Sequence, residues 1–194
     1  MLHVSALFTL LLMVALGAFV AARAWRSRPA KVFVVFVALN AVPTLSSSYR
    51  ARAQSPEAAY WWLLLGVAAL PPLIATLLAL FAALFAPELW DDDGDRVAPI
   101  WWMLIPYIAV GLTLTLDIVS GAGMIVGPIT YLPEQDLYRF PPRPPGSTIV
   151  LGLALVGVSV HLVILGRAFV RSARSRFLIG LMALALLAGA GLGT

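Results

Sequence analysis

Ala59 to Phe85 reads AYWWLLLGVAALPPLIATLLALFAALF, about 27 residues with no charged side chain and with Pro71-Pro72 near the middle. At ~1.5 Å per residue, a helix of that length exceeds the ~30 Å hydrocarbon core of a bilayer. Its opening, Tyr60-Trp61-Trp62, has the composition of a membrane–water boundary, where amphipathic rings settle at headgroup level. The internal prolines remove backbone donors. They predict a kinked or tilted helix whose freed carbonyls face neighbouring helices rather than lipid. This stretch decides the fold class: an all-α, polytopic transmembrane helical bundle.

Five further apolar runs surround it, so six spans are expected: Leu2 to Ala22, Val32 to Tyr49, Ala59 to Phe85, Ile100 to Val119, Thr148 to Gly166 and Phe177 to Leu192. They form one domain over residues 1–194, with one long connection at 120–147. Across the chain 61% of residues are hydrophobic and 11% charged, against the quarter charged that is usual for soluble domains. A soluble enzyme, a nucleic-acid-binding domain and a disulfide-rich module are excluded on that ground. With no cysteine, thiolate metal sites and disulfides are excluded too. Met1 to Ala22 has no positive residue ahead of its apolar run and outlasts a usual signal core, so it is read as a membrane helix rather than a leader.

Orientation follows from the basic residues. Counted between spans, Lys and Arg number four, two, one, two and four, which puts nine in the odd connections and four in the even ones. The positive-inside rule makes the odd connections cytoplasmic and the N-terminus outside; the acidic run Asp91, Asp92, Asp93 and Asp95 does not oppose this, because acids contribute little. Aromatic residues mark the same boundaries: Tyr49, Tyr60, Trp61 and Trp62 at the outer end, and Trp25, Trp90, Trp101 and Trp102 at the inner end. A multi-pass protein of a bacterial plasma membrane is expected. The connection from Ser120 to Ser147 is outer, and Pro141-Pro142-Arg143-Pro144-Pro145 favours extended polyproline-like backbone over helix or ladder there. It reads equally as a lid over the bundle or as a solvated connector.

Polar groups inside spans are costly and usually face the bundle interior. Asn40, Thr44 and Ser47 or Ser48 recur at helical spacing along the second span, a stripe interrupted by Pro43. The stripe reads as a pocket wall open to the outside, or as interhelical hydrogen bonding worth ~0.6 kcal/mol per contact. Thr113 and Asp117 lie four apart near the outer surface, where a carboxylate can be simply hydrated; Arg50 and Arg52 are its candidate cationic partners. His161 shares a face with Gly157, and with His3 at the opposite side of the membrane a bis-histidine haem site is disfavoured. Gly152, Ser159 and Gly166, seven apart, read as a close-packing stripe.

The chain has no P-loop, nucleophile elbow, metalloprotease motif or paired intramembrane carboxylates. Its one lysine, Lys31, lies in the first inner connection and cannot hold retinal. The reading is therefore not an enzyme, with no cofactor and no metal.

The order of features resembles the N-terminal seven-transmembrane sensing region found ahead of bacterial histidine kinases and diguanylate cyclases. The likeness lies in an outside N-terminus, a first helix ending in Ala24-Trp25-Arg26-Ser27-Arg28, and a third helix that opens on Tyr60-Trp61-Trp62 and carries Ala69-Leu70-Pro71-Pro72. A fourth helix starting near Leu104-Ile105-Pro106, a long outer loop and a basic turn from Arg167 to Arg176 complete it. The chain departs from that pattern at Ala188-Gly189-Ala190-Gly191, where the family has a Pro and Gly-Asn-like element, and in showing neither a seventh helix nor an effector. It is expected to be a fragment ending at Thr194 or a six-helix relative.

The resemblance implies a sensory, receptor-like module of a signal-transduction protein. Its candidate ligand-binding residues are Asn40, Thr44, Ser47, Tyr60, Trp61, Thr113 and Asp117, and its hinges Pro43, Pro71 and Pro72. The implied partners are the lipid bilayer, a second copy through transmembrane helices, and a kinase or cyclase output, with no nucleic acid. The alternative is a structural or accessory subunit of a membrane complex. A small transporter would need a continuous polar path, and the inner half offers only His161 and a few backbone-freeing prolines.

Overall fold

The computed structural model describes residues 2–50, 52–90, 99–132, 137–171 and 180. They form five helices: α1 (Leu2–Ala24), α2 (Arg28–Arg50), α3 (Pro56–Phe85), α4 (Pro99–Ser120) and α5 (Gly146–Arg171). Among the described residues, four of them, α2 to α5, are long and apolar enough to cross a membrane, and Leu10–Ala24 of α1 is a further apolar helical stretch. The expected sixth span, Phe177 to Leu192, lies outside the described residues apart from Gly180, as does the acidic run at 91–95. The helices extend past the apolar runs at several ends. Arg28, Lys31, Arg167 and Arg171 all belong to helical turns, because long basic side chains can reach the interface while their stems stay on the apolar surface.

Local chemistry sets the helix ends. Ser27 closes the turn between α1 and α2: its hydroxyl donates to the Ala24 carbonyl (3.0 Å) and accepts from the Ala30 amide (3.4 Å). Ser55 caps α3 by accepting from the Ala58 amide, with Pro56 in the first turn, where a missing donor costs nothing, and Glu57 beside the positive end of the helix dipole. At the far end of α4 the Gly121 amide donates to Ile118 and the Ala122 amide to Asp117. This pair of bonds requires a left-handed residue, and Gly121 has φ +70°. Pro43, Pro71, Pro72 and Pro106 all lie inside continuous helices.

α3 is the hub, packing against α2 along one side and against α4 and α5 along the other, while α1 packs on α2. Small residues make these approaches close. A Cβ on Gly111 of α4 would stand 3.0 Å from the Pro72 ring, so α4 covers the proline pair, and Pro71 is buried. The core divides into two clusters. One lies towards the α4–α5 connection and joins Leu64, Ala68, Leu114 and Ile118 to Ile125 and Val126 of that connection. The other occupies the opposite half and includes Ala75, Leu78, Phe81, Ile100, Leu104, Tyr107, Ile164 and Ala168. In lipid the exchange of apolar contact for apolar contact gains little, so shape fit, rather than area removed from water, holds such helices together.

The α4–α5 connection differs from the polyproline expectation. Strands β1 (Thr130–Leu132) and β2 (Leu137–Arg139) pair antiparallel, Tyr131 opposite Tyr138, and a further bridge joins Val126 to Pro142. The ladder tolerates Pro142, which has no N–H, because no donor is needed at this paired position: the flanking bonds run from the Gly127 amide to Pro141 (2.9 Å) and from the Arg143 amide to Ile125 (2.8 Å).

Candidate functional site

The end of the bundle carrying this connection holds some of the polar groups singled out in the sequence, and it does not assemble them into one pocket. Asp117 sits in the last turn of α4 and is only 5% exposed, not hydrated at the surface as its position implies. Its two carboxylate oxygens accept from the Met124 amide at 3.2 and 3.0 Å, while its backbone carbonyl accepts from the Ala122 amide and the Ser120 hydroxyl. The connection thereby folds back over the helix that precedes it, and Ile125 and Val126 enter the core immediately afterwards.

Arg143 closes the other side. Its guanidinium donates to the Gly123 carbonyl (3.0 Å), and a Cβ on Gly123 would lie 3.6 Å from the Tyr60 hydroxyl. Arg50 does not pair with Asp117; its guanidinium lies over the Phe140 ring, 5.8 Å from the centroid. Tyr49 stacks on Trp62 at 4.7 Å, and Trp61 is exposed. Tyr60, Asp117 and Arg143 thus surround one structured cover built from residues 121–126 and 140–146.

The α2 stripe lies elsewhere. Asn40 donates to the Met13 sulfur (3.0 Å), so it joins α1 to α2, across α3 from Asp117. Thr44 donates to the Asn40 carbonyl and Ser47 to the Thr44 carbonyl, each within its own helix. Thr113 is exposed and donates to the Ala109 carbonyl, and so shares no pocket with Asp117 despite the four-residue spacing. Pro43 falls in the middle of α2, and Pro71-Pro72 lies under Gly111 of α4. Of the seven candidate residues, Tyr60 and Asp117 meet the cover.

Several residues that matter to the architecture carry weak sequence signals. Ser46, rather than Ser47, faces α3: its hydroxyl donates to the Trp62 carbonyl, and a Cβ on Gly66 would meet it at 2.6 Å. The serine opposite a glycine on the neighbouring helix was the available signal, but three consecutive serines hide which one points inward. Among the described residues the stripe of Gly152, Ser159 and Gly166 is exposed and nothing lies within 4 Å of a Cβ placed on either glycine; the close approach of α5 occurs at Gly157 instead. His161 is buried on the Gly157 face, as its spacing predicts, with Nδ1 2.5 Å from the Gly157 carbonyl and its ring edge-on to Phe81.

The chain matches no known family model, no curated protein and no solved structure. Geometry alone therefore carries the functional argument.

At the opposite end, Arg28 lies over Trp90 (5.1 Å), which meets Trp101 edge-on, and Arg171 pairs with Glu88 at 3.0 Å. The Glu88 carboxyl is held below its ordinary value, first by its own backbone amide and then by the Arg171 guanidinium. Among the described residues no group of three or more His, Cys, Asp or Glu side chains comes together.

Proposed function

We propose that the protein is the membrane-embedded sensory module of a bacterial signal-transduction protein, with six spans, its N-terminus outside and its covered end facing the exterior. The observation that carries this reading is the cover itself: a connection of more than twenty residues is folded, inserted into the core through Ile125 and Val126, and anchored to the last turn of a membrane-length helix by Asp117. A ligand that meets the cover near Tyr60, Trp61 and Arg143 bears on α4 directly. It can shift the bundle between two packings only by its difference in affinity for them. The site residues supported by this geometry are Tyr60, Trp61, Asp117 and Arg143.

The test is output. In the full-length protein, Asp117→Asn and Arg143→Ala are expected to change basal or stimulated signalling, while Thr113→Ala leaves it intact. Unchanged output from both cover variants at wild-type abundance refutes the reading. An accessory subunit of a membrane complex is the second reading, favoured by the exposed Gly152, Ser159 and Gly166 face of α5, which suits close contact with another helix. Stoichiometric co-purification with a larger complex from native membranes would select it.

A further inference from the structure

The core cluster opposite the cover contains two polar atoms left without a protein partner among the described residues. Tyr107 of α4 is 2% exposed and His161 of α5 is 1% exposed; among the described residues neither the Tyr107 hydroxyl nor His161 Nε2 makes a hydrogen bond. They lie at one junction. A Cβ on Gly157, one turn from His161, would stand 3.2 Å from the Tyr107 hydroxyl and 2.7 Å from Ile74 of α3. The Leu77 carbonyl of α3 also faces the imidazole, without the geometry of a direct bond to Nε2.

The donor and acceptor roles at the junction are complementary. The Gly157 carbonyl can only accept, so its bond to His161 Nδ1 assigns the ring proton to Nδ1 and leaves a lone pair on Nε2. Tyr107 brings a donor, and the Leu77 carbonyl a further acceptor. A group able to accept once and donate twice satisfies all three, and three bonds is the usual complement of a buried water. Such groups are costly to leave unmade away from water.

We propose that Tyr107, His161 and the Leu77 carbonyl hold one buried water that ties α4, α5 and α3 together. The water accepts from the Tyr107 hydroxyl and donates to His161 Nε2 and to the Leu77 carbonyl. α4 and α5 touch each other sparsely and meet mainly through α3, so this water is their principal polar link. The inference does not depend on the sensory reading.

The sign of one substitution tests it. A tyrosine hydroxyl with no partner is a burden, so Tyr107→Phe would then leave stability unchanged or raise it. With the water in place, Tyr107→Phe lowers the folding equilibrium constant by roughly fivefold. Tyr107→Phe and His161→Leu together then cost less than the sum of the two singly. SDS-induced unfolding in mixed micelles reads both. Infrared difference spectra of the unmodified chain in H2-16O and H2-18O identify the bridging species independently of any variant: an isotope-sensitive O–H stretch of a strongly bonded water is expected, and Tyr107→Phe abolishes it. A neutral or stabilising Tyr107→Phe overturns the proposal. So does coupling between the two residues without an isotope-sensitive band, which would mean a direct Tyr–His bond.

Discussion

Removal of the Asp117 carboxylate probes the anchor of the cover. The Met124 amide donates to both carboxylate oxygens, at 3.0 and 3.2 Å, and the carboxylate is 5% exposed, so water replaces it poorly. Hydrogen bonds to charged groups contribute ~1.5–3 kcal/mol. Asp117→Ala is therefore expected to raise the local opening constant at Met124 about 10- to 150-fold. Asp117→Asn keeps an oxygen acceptor but loses the charge, and about a fivefold rise is expected, on the ~1 kcal/mol scale of neutral bonds. Hydrogen–deuterium exchange of the chain in nanodiscs, read over residues 121–126, gives the graded order wild type, Asn, Ala. Amides in the middle of α3 serve as an internal reference. If the Met124 amide exchanges at the wild-type rate in Asp117→Ala, the carboxylate does not anchor the cover.

Other perturbations read the bundle at separate points. Gly66→Ala places a methyl 2.6 Å from the Ser46 hydroxyl and is expected to cost ~1–3 kcal/mol, with Ser46→Gly restoring most of it in SDS unfolding. Gly157→Ala, which meets Ile74 at 2.7 Å, is expected to cost a similar ~1–3 kcal/mol, whereas Gly152→Ala and Gly166→Ala leave the monomer unaffected. The chain has no cysteine, so single cysteines report orientation directly: an impermeant maleimide on intact cells is expected to label Gln54→Cys and Ala122→Cys, and Ser27→Cys only after lysis. The reverse pattern would overturn the outside N-terminus. Glu88 has a depressed folded-state pKa, so its contribution is present above the unfolded value and disappears as pH falls through the folded one. The small deficit of Glu88→Gln in melts at pH 7 should fade as the pH falls below the ordinary carboxylate range, and in high salt.

The legible part of this protein is what one-dimensional hydropathy and end chemistry encode. The helix from Pro56 to Phe85 follows from an uninterrupted apolar run behind a Ser55-Pro56 start, and the end of α4 from Ser120-Gly121. The side of a helix was harder to read, because spans that are apolar all round carry no amphipathic phase. That is why Thr113, four residues from buried Asp117, is exposed, and why Gly152, Ser159 and Gly166 lie outside while Gly157 lies inside. The connection misled for a different reason. Its proline content argues against a ladder, but Pro142 occupies the one class of paired position where an amide is not needed. Composition records how many prolines there are, whereas register decides what they cost.

These placements change which element a sensory reading should rely on. Asn40 joins α1 to α2, so a signal arriving there acts on the pair of helices at the edge of the bundle. Asp117 and Ile100 share α4, 17 residues or roughly 26 Å apart along one helix. Leu114 and Ile118 of the same helix belong to the core cluster beneath the cover, and Leu104, Tyr107 and Ile100 to the cluster in the opposite half. Under the sensory proposal α4 carries a displacement from the Asp117 anchor to both clusters, past the Gly111–Pro72 contact. A methyl forced against Pro72 displaces α4 itself, so Gly111→Ala is expected to change amide exchange both at Met124 of the cover and in α5 around His161. If Gly111→Ala changes exchange in one of these regions and not the other, or in neither, α4 is not the connecting element, and the edge pair of α1 and α2 becomes the better candidate.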